Sequence, residues 1–228
     1  LSFKIDKKDF HMIKKNAHLI QNVSSSRMYD EMQKLFFSGS SNEMYKILEE
    51  SNLLKYIFVD FYKWANEDSK RLNWINSSLN QLDKWINAGL KVDVPLLFAL
   101  IFGEYHEAMI EKKVDNNKNA FDLTRRVISD HLNSICSEIR IPKTIIYQVC
   151  DIMTHQIRFK KMNPKQSSRI AQSTGFINAF LYLKFSSKIL LRNENVLYFW
   201  QDIRNAISLR KASKKIGSQK RITKRFKK

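Results

Sequence analysis

Apolar residues recur every three or four positions along most of the chain, which is the period of an α-helix with one buried face. Alternation of apolar and polar residues, the mark of a half-buried strand, never lasts more than a few positions. The sequence therefore predicts an all-α fold. The predicted helices cover Asp9–Gln21, Ser24–Gly39, Ser40–Leu48, Asp68–Ala88, a segment from Val94, Ala120–Ile139, segments that begin at Pro142 and Pro164, Phe176–Leu191 and Val196–Leu209.

Several helix ends are predicted by single residues. Gly39 stops the helix that begins after Ser24, since glycine accepts the left-handed conformation at a helix end. Ser40 and Glu43 have the S-x-x-E spacing of a capping box. Asn163 can cap a helix whose first residue is Pro164.

The composition, with 43% apolar and 27% charged residues, is typical of a soluble globular protein. The longest nearly apolar run, Val94–Gly103, is too short to cross a bilayer, so no membrane association is expected. Cys136 and Cys150 have no metal-binding or redox spacing, which favours reduced thiols and a cytoplasmic protein.

The net charge of +18 is unevenly distributed. Residues 1–120 have a formal charge of +1, residues 121–203 of +6, and residues 204–228 of +11 with no acidic residue. The last segment has too few large apolar residues to order itself alone, so a disordered basic tail is expected. A basic terminal arm is typical of a nucleic-acid contact.

No recognisable catalytic centre or metal site is present in the sequence. It contains no glycine-rich phosphate loop, no H-E-x-x-H motif and no cluster of carboxylates of the kind that two-metal phosphoryl transfer requires. Asp130 and His131 form an isolated acid–histidine dipeptide, which is interpreted as an ordinary pair on a helix.

Several segments, taken in their order along the chain, resemble the neck and body of bacterial poly(A) polymerases, which share a superfamily with CCA-adding tRNA nucleotidyltransferases. They are LSFKIDKKDF, SSSRMYDEMQKLFFSG and YKILEESNLL at the start, then VDVPLLFALIFGEY, NAFDLTRRVISDHLNSICSEIRIPKTI and HQIRFKK. The family's R-I-x-x-E neck motif corresponds to Arg27-Met28-Tyr29-Asp30-Glu31, with methionine in place of isoleucine.

The resemblance implies an RNA-binding part of an enzyme that adds AMP from ATP to RNA 3′ ends in mRNA polyadenylation and decay. It divides the chain into neck helices (1–40), an RNA-binding helical body (41–203) and a basic tail (204–228). The catalytic head, which would use ATP and Mg²⁺, lies outside this chain and is expected in cis. Arg27 and Glu31 are implied to support the nucleotide pocket; the alternative is a plain ion pair on the surface.

The candidate RNA-binding residues are basic side chains that could contact phosphates without reading the base sequence. In the body they are Arg125, Arg126, Arg140, Lys143, Arg158, Lys160, Lys161, Lys165, Arg169, Lys184, Lys188 and Arg192, of which the last three form one predicted helical stripe. In the tail they are Arg210, Lys211, Lys214, Lys215, Lys220, Arg221, Lys224 and Arg225. The aromatic residues Phe176, Phe180, Tyr182 and Phe185 could stack on bases, but their helical spacing makes most of them core residues.

Two other functions remain open at this point. The chain could be the equivalent part of a CCA-adding enzyme, which would prefer tRNA to an unstructured 3′ end; the basic tail favours the poly(A) polymerase branch. It could also be a stand-alone helical scaffold that binds nucleic acid. A catalytic head encoded upstream in the same gene would exclude the scaffold.

Overall fold

A computed structural model describes the backbone of residues 5–113, 119–135 and 139–225, and the side chains in these ranges up to residue 209. These residues form twelve α-helices and one 3-10 helix. In chain order they are α1 (Lys7–Lys15), the 3-10 helix Ala17–Asn22, α2 (Ser25–Phe36), α3 (Ser41–Glu50), α4 (Leu54–Ile57), α5 (Val59–Asn66), α6 (Ser69–Asn87), α7 (Val94–Lys113), α8 (Ala120–Ser134), α9 (Lys143–Lys160), α10 (Pro164–Ala171), α11 (Phe176–Leu190) and α12 (Glu194–Arg225).

The prediction of an all-α fold is confirmed, since the described ranges contain helices and no strand. The chain divides into two compact units, Leu1–Thr154 and His155–Lys228, here called the first and second units. This division reflects packing alone. The domain boundaries after residues 40 and 203, which were assigned from function, stay predictions.

Helix α7 lies at the centre of the first unit, with every residue from Pro95 to Gly103 buried. It packs against α5, α6 and α8. Aromatic rings dominate this core: the ring of Phe61 lies edge-on to that of Phe102, with 4.7 Å between the ring centres. None of the described helices is both long and apolar enough to span a membrane.

The start of α3 is fixed by α6 rather than by the predicted capping box. The backbone N–H groups of Ser41 and Asn42 donate to the two carboxylate oxygens of Asp83, at 2.7 and 3.1 Å. Ser40 precedes the helix as predicted, but its side chain makes no capping hydrogen bond. The capping-box prediction is therefore wrong, since the Ser40 side chain accepts no N–H of the helix, and a carboxylate of α6 instead binds the N–H groups of Ser41 and Asn42.

The predicted helix over Asp9–Gln21 is interrupted at Asn16. The side-chain amide of Asn16 donates to the carbonyl of Met12 at 2.9 Å, and the chain continues as the 3-10 helix. Asparagine competes in this way with regular helix hydrogen bonding, so a continuous helix was the wrong prediction here. The break leaves Ala17 buried while Met12 is exposed.

The second unit has its own core around Trp200 of α12 and Phe159 of α9. Both side chains are fully buried, and the indole N–H of Trp200 donates to the carbonyl of Phe159 at 3.1 Å.

The predicted cap of α10 is confirmed: the side chain of Asn163 accepts from the backbone N–H of Lys165 at 3.0 Å, and Pro164 is the first helical residue.

Helix α12 includes the first residues of the expected basic tail. The Arg204 guanidinium lies over the ring of Phe180, 5.4 Å from its centre, and Ile203 packs against the core of the second unit. The backbone of α12 is helical up to Arg225, while the side chains of residues 210–228 lie outside the described part. Because an isolated helix without a packing partner is marginal in water, disorder of the tail stays a prediction.

Candidate nucleic-acid interface

The two units have very different charges. Residues 1–154 contain 21 lysines and arginines against 20 aspartates and glutamates, a formal charge of +1. Residues 155–228 contain 19 against 2, a formal charge of +17. Such an excess on one compact unit creates a strong positive potential, which attracts a polyanion over distances of about a Debye length.

The basic residues of the second unit mostly lie on its surface. Those predicted as RNA contacts and found exposed are Lys160, Lys161, Lys165, Arg169, Lys184 and Lys188, whereas Arg158 is half-buried. Arg158 and Lys160 lie in the last turn of α9, and Lys188 in the last turn of α11, where positive charge also stabilises the helix dipole. These three residues therefore have a structural role whether or not they contact RNA.

The predicted stripe of three basic residues on α11 is shorter than expected. Lys184 and Lys188 lie one turn apart on the helix. The helix ends at Leu190, and Leu191 takes a left-handed conformation with φ of 49°. Arg192 follows this turn and is half-buried, so placing it in a helical stripe was wrong.

Four predicted basic residues belong to the first unit. The Arg125 guanidinium donates to the carboxylate of Asp151 at 2.7 Å, which joins α8 to α9. Arg126, Arg140 and Lys143 are exposed. The backbone N–H of Arg140 donates to the carbonyl of Ser25 at 3.0 Å, so the segment before α9 is held against the start of α2.

The four aromatic residues considered for base stacking belong to the core instead. Phe176, Phe180, Tyr182 and Phe185 expose at most 4% of their surface, as their helical spacing indicated. The tail residues Arg210, Lys211, Lys214, Lys215, Lys220, Arg221, Lys224 and Arg225 have side chains outside the described part, so their role stays a prediction.

Arg27 and Glu31 line an apolar cavity of about 430 Å³ between the 3-10 helix, α2 and α4. In the described part of the chain, the ion pair of Glu31 is with Lys34 at 2.9 Å rather than with Arg27. The hydrogen bond and positive charge of Lys34 hold the pKa of Glu31 below its ordinary value, and the charge of Arg27 adds a smaller lowering. The direct pairing of Arg27 with Glu31 is therefore wrong, while their support of a nucleotide pocket stays a prediction.

A buried histidine pair in the first unit was not predicted. His106 of α7 and His131 of α8 share a hydrogen bond between ring nitrogens at 2.8 Å. Their outer nitrogens, Nδ1 of His106 and Nε2 of His131, are buried without a hydrogen-bond partner among the described residues. Burial lowers the pKa of His131 to about 4, and burial together with the neighbouring ring lowers the pKa of His106 well below its ordinary value. The available signal was that both residues occur among apolar residues at helical spacing.

Two further observations bear on site chemistry. The Cys150 thiol is free and buried, and burial raises its pKa; Cys136 lies outside the described residues. Within the described ranges, no group of three or more histidine, cysteine or acidic side chains is arranged to hold a metal ion. The feature that distinguishes the described surface is its exposed basic side chains.

Comparison with known proteins matches most of the chain to two family models. One, described as "Probable RNA and SrmB-binding site of polymerase A", matches residues 2–63, and one described as "Polymerase A arginine-rich C-terminus" matches residues 116–228. The first range includes Arg27 and Glu31, and the second includes every basic residue predicted to bind RNA.

The relatives point to the same family. Poly(A) polymerase I of Salmonella typhi is 25% identical over 192 residues, which is 83% of this chain and 41% of that protein. Poly(A) polymerase I of Escherichia coli O157:H7 is 25% identical over 195 residues, with 83% and 41% covered. The Haemophilus influenzae protein of the same name is 24% identical over 191 residues, with 81% and 42% covered. The chain thus spans about two fifths of the length of these curated relatives.

Proposed function

Because the chain belongs to the bacterial poly(A) polymerase family, we propose that it is the RNA-holding neck, body and tail of an enzyme that adds AMP from ATP to RNA 3′ ends. The observation that carries the proposal is the charge of +17 on the second unit, with 19 basic and 2 acidic residues. A polymerase that copies no template must hold the strand through its backbone, and basic side chains on a helical surface can do this without reading sequence.

The proposal divides the work between this chain and a catalytic head in cis. The head would bind ATP and Mg²⁺ and perform the transfer, since the matched segment covers only about two fifths of the relatives. Within this chain, the exposed basic residues would position the strand, and Arg27 and Glu31 would support the nucleotide pocket from α2. The reaction is assigned to the cytoplasm as part of the same proposal.

The relatives compared above are all named poly(A) polymerase I, so the comparisons favour this function over CCA addition or a stand-alone scaffold. A poly(A) polymerase and a CCA-adding enzyme can be distinguished by which RNA each binds more tightly. A poly(A) polymerase fragment should bind an unstructured oligo(A) at least as well as a tRNA, because its contacts are to the backbone of a single strand.

A salt titration tests the proposed function. The full chain and a variant with the eight tail residues Arg210, Lys211, Lys214, Lys215, Lys220, Arg221, Lys224 and Arg225 changed to glutamine would be titrated with labelled oligo(A) and with tRNA. For single strands, log K should fall with log[salt] by about 0.7 for each phosphate neutralised. If the variant keeps a salt-dependent preference for oligo(A), the body holds RNA and the tail adds affinity. Binding that vanishes in the variant, with no distinction between RNAs in the wild type, would contradict the proposal.

A further inference from the structure

Exposed aromatic side chains are rare in the part of the chain that the structure describes. Among the described residues, only Tyr147 of α9 and Tyr198 of α12 are exposed aromatics of the Phe, Tyr and Trp type, at 64% and 62% of their surface. The aromatics that the sequence suggested for stacking are buried, so among the described Phe, Tyr and Trp residues the two tyrosines have the largest exposed fraction available to a base. The two tyrosines differ in the charge of the residues around them.

Tyr147 lies on a positive stripe. Lys143 precedes it by four residues on α9, so the two side chains share one helix face, and Lys143 is exposed. Arg140, also exposed, lies just before the helix. Neither basic side chain has a hydrogen bond or an ion pair to another residue in the described part of the chain, so both can reach a phosphate.

The acidic residue on this face is neutralised. Asp151 follows Tyr147 by four residues, and its carboxylate accepts from the Arg125 guanidinium at 2.7 Å. The ion pair removes the negative potential that would repel a phosphate next to the ring. The face therefore combines an exposed ring with net positive charge, which is the combination that binds single-stranded nucleic acid.

The segment that carries the stripe is held in place before any ligand binds. The backbone N–H of Arg140 donates to the carbonyl of Ser25 at 3.0 Å, and the next residue, Ile141, is buried. Fixing the backbone just before Pro142 reduces the ordering cost of binding. Tyr198 has the opposite surroundings: Glu194 and Asp202 lie four residues before and after it on α12, and both are exposed.

We propose that Tyr147 is a base-stacking position of the RNA interface, and that Lys143 and Arg140 hold the phosphates on either side of the stacked base. The inference rests on the proposed function, because it names one contact with the RNA that the proposed function requires. It assigns a role to a residue that the basic-residue pattern alone does not identify. The ligand is a single strand, since a base within a duplex has no free face.

The test uses the full chain and labelled oligo(A), with Tyr147→Ala, Tyr147→Phe, Tyr198→Ala and Lys143→Ala compared with the wild type at two salt concentrations. Tyr147→Ala should weaken binding by about fivefold to a hundredfold, because stacking of one base is lost. Tyr147→Phe should keep wild-type affinity, since the ring remains, and Tyr198→Ala should bind like the wild type. The salt slope should be unchanged in Tyr147→Ala but smaller by about 0.7 in Lys143→Ala.

Wild-type affinity in Tyr147→Ala, or an equal loss in Tyr198→Ala, would overturn the inference. A loss in Tyr147→Phe as large as that in Tyr147→Ala would also overturn it, because the hydroxyl rather than the ring would then be responsible. These outcomes differ from failure of the proposed function, which would appear as a wild-type chain that does not distinguish oligo(A) from tRNA and that loses its binding when the eight tail residues are changed to glutamine. Equal unfolding midpoints in urea would confirm that the variants are folded.

Discussion

At the scale of single residues, the histidine pair links stability to pH. Both rings are buried and neutral in the fold, with the pKa of His131 lowered to about 4 and that of His106 lowered well below its ordinary value. In the unfolded chain both titrate near pH 6.5, so the unfolded state binds more protons below that pH. The contribution of the two neutral histidines to the free energy of unfolding should therefore be fully present above about pH 6.5. It should be lost as the pH falls toward 4, by up to about 1.4 kcal/mol per pH unit for each histidine.

Urea denaturation between pH 7.5 and pH 5 would measure this dependence. The double variant His106→Phe, His131→Leu should lose most of the pH slope, whatever its stability at neutral pH. His11→Gln is the matched control, because it removes an exposed histidine instead of the buried pair. An unchanged slope in the double variant would show that other groups cause the acid sensitivity.

Asp83 supports a second prediction at this scale. Its carboxylate accepts from two N–H groups at the start of α3, so Asp83→Ala should leave both helix N–H groups without their partner. We expect a loss of about 1–2 kcal/mol in the free energy of unfolding, the usual cost of removing a helix cap. Asp130→Ala on the exposed face of α8 is the control and should change stability by less than about 0.5 kcal/mol. Equal effects of the two variants in urea denaturation would exclude a capping role.

At the scale of secondary-structure elements, the turn between α11 and α12 contains a strained residue. Leu191 has φ of 49° and exposes 82% of its surface, so its side chain gains little from burial in this conformation. Leu191→Asn should raise the free energy of unfolding by about 1 kcal/mol, because asparagine tolerates the left-handed region better than leucine.

Thermal or urea unfolding of Leu191→Asn would be compared with Ile177→Asn. Ile177 is also exposed, at 69%, but lies within α11 with helical backbone angles, so its replacement relieves no strain. A stabilisation that occurs in both variants would indicate a general effect of removing exposed apolar surface rather than relief at Leu191.

Element ends were predictable where the signal was local. The cap at Asn163 and the proline that follows it are adjacent in sequence, and the structure confirms both. The cap of α3 was not predictable, because Asp83 is far from Ser41 along the chain and comes close only when α3 packs on α6. The break at Asn16 was not predicted, because the apolar spacing continues through it while a side-chain hydrogen bond ends the helix.

The candidate interface was predictable in part for the same reason. Lysines such as Lys165 and Lys184 are exposed, as expected from the cost of burying a charge. Arg192 was misplaced because the helix ends one turn earlier than its spacing suggested. Tyr147 could not be identified, since its exposure and the neutralisation of Asp151 by Arg125 both depend on how α8 packs beside α9.

At the scale of the whole chain, the absence of catalytic motifs from the sequence leads to a prediction about activity. Incubated alone with ATP, Mg²⁺ and an RNA primer, the chain should not extend the primer, because holding a strand supplies no group that activates its 3′ hydroxyl. Gel analysis of a labelled primer would show this. A full-length poly(A) polymerase of the family is the positive control, and appreciable extension by the chain alone would reveal an unrecognised active site.

The charge of the second unit has a consequence for how the protein responds to its solution. Residues 155–228 contain a single histidine, His155, and otherwise almost only lysine and arginine as ionisable groups, so their charge hardly changes between about pH 6 and pH 8. The pH should therefore mainly affect the stability of the fold, and the ionic strength should mainly affect the binding of the strand. Mild acid would lower the stability of the first unit and leave the charge of the second unit almost unchanged, whereas concentrated salt would release the strand from a fully folded protein.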